Sequence, residues 1–153
     1  MPIEFKDSAE AIVAIATVII SADKVGNFSE KDRLFSEIRK LEVFQGYDAP
    51  KFNLLLGNIT QKTYDLLPNK DGVLTQQGFE DLVAAAKKAL NTEMQKETFK
   101  LAVALAVSDG LAEEEARLLD ELQTGFNIDL QYLKQVQMDC GWSDNPSLGE
   151  KAA

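Results

Sequence analysis

Two stretches decide how this chain folds: AIATVIISAD at 14–23 and LAVALAVSD at 101–109. Each is an apolar run that ends in an aspartate. Neither offers a polar stripe at helical spacing, so each reads as a helix buried on all sides rather than one lying on a surface. Downstream of each comes an acidic start and then a similar amphipathic segment, RLFSEI at 33–38 and RLLDEL at 117–122, the first loop being longer by two residues. The pattern is therefore an internal repeat of buried helix, aspartate, acidic cluster and amphipathic helix. One such pair cannot bury both its faces alone, and packing two pairs about a pseudo-twofold axis closes a core.

Capping and turn residues divide the remainder into about seven helices. The first starts near Asp7, with Glu10 three residues later in a capping-box-like pair, and runs through Ile12, Ile15, Val18 and Ile19 to about Asp23. Ser29 suits the cap of a second, with Leu34, Phe35, Ile38 and Leu41 on one face. Asp48 and Pro50 open a third through Phe52, Leu55, Leu56 and Ile59, which the turn at 68–72 ends. Thr75 caps a fourth that ends near Leu90. Thr92 with Gln95 is the expected capping box of a fifth, which Gly110 closes. A sixth runs from Ala112 through Leu118, Leu119 and Leu122 to about Gly125, and Asp129 caps a seventh carrying Leu133 and Val136. The expectation is an all-α single domain over residues 1–153, with repeat one at about 8–66, repeat two at about 92–138 and a flexible tail after 143. Trp142 is expected to act as a lid on the bundle.

Composition narrows the chemistry. The 153 residues are 45% hydrophobic and 27% charged, ordinary globular proportions. A net charge of −9 repels nucleic-acid backbones and anionic membranes, so neither is an expected partner. The uncharged run at 11–22 falls short of the roughly 20 residues needed to span a bilayer. The N-terminus, with Glu4 and Asp7 around one lysine, lacks the pattern of a signal peptide, and a cytoplasmic location is expected. Histidine is absent and Cys140 is the single cysteine. Zinc sites built on Cys and His, histidine-dependent triads and internal disulfides are thereby excluded. No glycine-rich phosphate loop is present. No catalytic residue is assigned, and Cys140, lacking a base, is expected to be inert.

The carboxylates around the repeat are the candidate site. Asp109 follows a helix C-terminus, where the macrodipole disfavours an anion by about 0.3–1 kcal/mol unless something compensates. Glu113, Glu114 and Glu115 open the next helix, where negative charge is favoured. Glu115 stands three and four residues before Leu118 and Leu119, on the inward stripe. Asp23 and Glu30, four residues before Leu34, repeat the arrangement in the first half. Oxygen ligands without His or Cys suit Ca²⁺ or Mg²⁺ rather than zinc or copper. An EF-hand does not fit, because aligning its glycine on Gly72 or Gly110 places Leu67 or Val107 at a ligand position and leaves no final glutamate. The competing explanation is structural: the aspartates accept N–H groups of the following helix and the glutamates pair with Arg33 and Arg117. Asp71-Gly72 reads as a simple connector rather than a third ligand site.

The doubled segment resembles the TerB-like tellurite-resistance family. The second copy, VALAVSDGLAEEEARLLDELQTGFNID, is the closer match; the first, VIISADKVGNFSEKDRLFSEIRKLEVF, has Lys24 where the family usually has glycine. The resemblance covers roughly residues 8–135. It implies an all-helical cytoplasmic protein associated with tellurite and stress resistance that holds metal through these acidic residues. On this reading Asp23, Glu30, Asp109, Glu114 and Glu115 are the metal ligands, and the protein is a non-catalytic stress-response module that meets protein partners. The alternative is a purely structural interaction module without an ion.

Overall fold

Asp7 begins the helix around which the rest of the chain is arranged. Its Oδ1 accepts the Glu10 N–H at 3.0 Å, satisfying one of the orphan donors of α1 (Ser8–Ser21), and the Glu10 carboxylate reaches back past the cap to the Lys6 N–H at 2.7 Å. Every residue from 11 to 19 of α1 is buried. The chain is described by a computed structural model over residues 3–21, 36–70, 73–108 and 113–141, the side chains of residues 20, 21, 108 and 113–115 excepted.

A helix with no polar face has to be surrounded, and α1 is. It packs against three later helices, α3 (Ala49–Leu66), α4 (Gln76–Ala89) and α5 (Thr92–Ser108), and more lightly against α6 (Glu113–Gly125). The other apolar run lies in α5, where Phe99, Ala102, Val103 and Ala106 are fully buried. Besides α1, α5 packs on α6 and on α7 (Leu130–Cys140), while α6 also covers α4. The described residues thus form a predominantly helical protein with one core, as the apolar periodicity predicts. No described helix is long and apolar enough to cross a membrane.

Most of the predicted caps occur. Asp48 accepts the Lys51 N–H at 2.9 Å with Pro50 in the first turn of α3, Thr75 accepts the Gly78 N–H at 3.1 Å to start α4, and Asp129 accepts the Tyr132 N–H at 2.7 Å to start α7. The start of α5 differs. Asn91, not Thr92, is the cap, its Oδ1 taking the Met94 N–H at 2.8 Å. Gln95 turns away from a capping box and donates to the Leu90 carbonyl at 2.9 Å, closing the end of α4 instead. One amide side chain therefore joins two helix termini, a role open to it only because the α4–α5 connection is so short.

The region of the second expected helix is helical at 36–38, here α2, where Ile38 is fully buried; Ser29, Leu34 and Phe35 lie outside the described residues. A 3₁₀ turn at Glu42–Phe44 follows and drives Phe44 into the core, where its ring meets Tyr47 at 5.1 Å and Phe52 edge-on at 6.2 Å. The turn expected at 68–72 is flanked by a minimal antiparallel ladder, β1 (Asn69–Lys70) with β2 (Val73–Leu74), in register Asn69↔Leu74 and Lys70↔Val73. A two-residue Asp-Gly connection is a favoured hairpin link, which accounts for this departure from a purely helical chain. Asp71 and Gly72, like Trp142 and the expected flexible tail, lie outside the described residues.

Chain reversal after α6 is local. Asn127 takes the left-handed conformation at φ 55° and the Ile128 N–H reaches the Gln123 carbonyl at 2.9 Å. Gly141 ends α7 in the same way at φ 70°, donating to the carbonyls of Gln137 and Met138.

Candidate functional site

The candidate carboxylates fall at or beyond the described limits of α1, α5 and α6. α1 is described to Ser21, α5 to Ser108, and α6 from Glu113. These three helices are mutual neighbours. Asp23, Glu30 and Asp109 themselves lie outside the described residues, as does Arg33. Glu114 and Glu115 belong to the first helical turn of α6, with side chains outside the description. Ala116, Leu118, Leu119 and Leu122 form the buried stripe of α6, so the backbone register sets Glu115 one turn before Leu118 and Leu119. Arg117, the expected partner of the glutamates, is exposed and holds its guanidinium 5.9 Å over the buried Phe79 ring of α4.

Elsewhere the carboxylates with recorded contacts do structural work. Asp7, Asp48 and Asp129 cap helices. Glu10 faces Lys62 at 3.6 Å, Glu37 pairs with Lys40 at 3.2 Å, and Asp139 pairs with Lys100 at 3.3 Å. Glu121 accepts from Gln76, tying α6 to α4. Among the described residues no group of three or more Asp, Glu, Cys or His side chains is arranged to hold a metal ion.

Cys140 sits half-buried at the end of α7, its Sγ 4.0 Å from the Lys100 carbonyl. Burial pushes its thiol above the ordinary value of 9.0; Lys100 opposes this, and the negative charges of Asp139 and Glu37 add to it. A thiol held protonated at neutral pH is a poor nucleophile. Beside it, hydrogen bonds from Gln135 at 2.9 Å and Lys100 hold the Asp139 carboxyl below its usual value.

Several polar features escape a reading of the chain alone. Lys62 of α3 reaches back to the N-terminal segment, where it donates to the Glu4 carbonyl and faces Glu10. Tyr132 donates its hydroxyl to the Lys96 carbonyl at 3.1 Å. Thr17, Thr63 and Thr98 are buried in α1, α3 and α5 with hydroxyls that find no partner among the described residues. No periodicity or spacing marks a pair 58 residues apart such as Lys62 and Glu4.

No protein-family model matches the chain, no curated protein matches it, and no solved structure matches its fold.

Proposed function

We propose that this chain is a non-catalytic, TerB-like stress-response protein of the cytoplasm, which holds Ca²⁺ or Mg²⁺ through Asp23, Glu30, Asp109, Glu114 and Glu115 and presents its surface to protein partners. The observation that carries this reading is the doubled segment itself, a buried helix followed by aspartate, acidic residues and an amphipathic helix. Direct packing of α1 on α5, and of α5 on α6, supports a pseudo-symmetric origin for the two halves. Carboxylates after two helix C-termini need compensation, and a hard cation supplies it. Tellurite protection and the association with stress rest on the family resemblance alone.

A second reading has its own support. The described carboxylates that cap helices or pair with lysines favour a structural interaction module without an ion, in which the repeat's acidic residues do the same.

Melting the protein in EDTA and in millimolar Ca²⁺ or Mg²⁺ separates the two. An ion that binds only the folded state stabilises it by about 2.7 kcal/mol when present at a hundredfold excess over Kd. Asp109→Asn is then expected to lose the ion-dependent shift while the ion-free protein is equally or slightly more stable. Identical wild-type curves in all conditions, with a less stable ion-free variant, would establish the structural reading instead.

A further inference from the structure

Residues 3–6 lie on the helical core ahead of Asp7, the cap of α1, without joining any regular element. Ile3 is 3% exposed and enters the core, and Phe5 packs against it half-buried. Among the described residues no main-chain to main-chain hydrogen bond ties residues 3–6 to the rest of the fold; the first such bond, from the Ala11 N–H to the Asp7 carbonyl, belongs to the start of α1. The polar attachments converge on two side chains instead. The Lys62 ammonium of α3 donates to the Glu4 carbonyl, lies 3.6 Å from the Glu10 carboxylate and stands 5.8 Å over the Phe5 ring. That same Glu10 carboxylate accepts the Lys6 N–H.

We propose that residues 3–6 are a strap that opens as a local unit, with the Lys62 charge as its latch, uncovering Ile3 and the N-terminal end of α1. Segments held by few apolar contacts and no ladder open with less free energy than the whole molecule. Here buried Ile3, half-buried Phe5, the Lys62 cation and the Glu10 carboxylate carry the attachment. Removing the charge takes away the ion pair, the cation–π contact and the charge-assisted hydrogen bond together. It leaves the core of α1, α4 and α5 untouched, because Lys62 lies at the edge of that packing and is a third exposed.

The test reads strap opening apart from global unfolding. In a Cys140→Ser background, Ile3→Cys places the single thiol beneath the strap, and its labelling by Ellman's reagent is timed under native conditions with Lys62, Lys62→Met and Lys62→Arg. Lys62→Met is expected to speed labelling on the order of tenfold, a change of about 1.4 kcal/mol in opening. The urea midpoint is expected to fall by less than that change implies, and Lys62→Arg, which keeps the charge, to label near the parent rate. Equal rates in all three proteins would overturn the proposal, as would a rate that follows global stability one to one. If Ile3→Cys does not fold, amide exchange at Lys6 and Glu10 in the Lys62→Met protein makes the same comparison against the amides of α5.

Discussion

Thr63 and Thr98 are the simplest place to test the packing residue by residue. Each is fully buried with a hydroxyl that has no partner among the described residues, and a buried unsatisfied polar atom costs roughly 1–3 kcal/mol. Valine keeps the β-branched shape and helix preference while replacing the hydroxyl by a methyl group. Thr63→Val and Thr98→Val are each expected to raise stability by about 1 kcal/mol in urea unfolding; a loss would mean that the hydroxyl is satisfied in solution.

Tyr132 makes a complementary case. Burial raises its phenol above 10.0, and Glu93 and Glu97 push the same way. A proton held more tightly in the folded state contributes stability below pH 10.0 that is lost as pH rises through the folded value. Tyr132→Phe is therefore expected to flatten the alkaline decline in stability relative to wild type, while losing the hydrogen bond to Lys96 near neutrality. Urea unfolding of both proteins across that range reads the difference. Cys140→Ser, by contrast, removes only a weak contact to a carbonyl at 4.0 Å and is expected to leave the melting temperature unchanged.

At the scale of elements, two glycines in helices make opposite predictions. In α4, Gly78 leaves no room for a Cβ, which would strike the Pro68 carbonyl, and that carbonyl is fixed by the Thr75 N–H at 3.1 Å and the Thr75 hydroxyl. Gly78→Ala is expected to destabilise despite the helix propensity it gains. In α3, Gly57 is exposed with open space about it. There Gly57→Ala is expected to stabilise by about 0.5–1 kcal/mol, the propensity difference undiluted by contact. Thermal melts of the two variants beside wild type check both signs. At the α4–α5 junction the cap assignment is tested by Asn91→Ala, expected to cost about 1 kcal/mol, against a near-neutral Thr92→Ala.

For the whole molecule, the position of α1 sets the order in which parts open. It touches α3, α4, α5 and α6, so it cannot be exposed without dismantling the core. Its amides at 11–19 are expected to exchange only through global unfolding, whereas α7, which packs chiefly on α5, exchanges through a smaller opening. Native-state hydrogen exchange at increasing denaturant tests this: α7 amides that merge with those of α1 at every concentration would show a single cooperative unit.

The amino-acid sequence by itself determined what depends on neighbours a few residues apart. Apolar runs with no polar stripe identify α1 and α5 as interior, and Asp7, Asp48, Thr75 and Asp129 announce their helices because a cap bonds to N–H groups within its own first turn. The sequence also places the candidate carboxylates after the apolar runs of α1 and α5, past the described Ser21 and Ser108, and in the first turn described for α6. Geometry between those carboxylates belongs to residues brought together from separate parts of the chain, and no local pattern encodes it. Tertiary structure decided the rest. Gln95 serves α4 rather than its own helix because two helix ends meet there, Phe44 enters the core through a 3₁₀ turn because rings from α3 and its approach receive it, and Lys62 holds the segment around Glu4 from 58 positions away. Each depends on which surfaces meet, and that is settled by burial of the whole apolar core rather than by the spacing of any one segment.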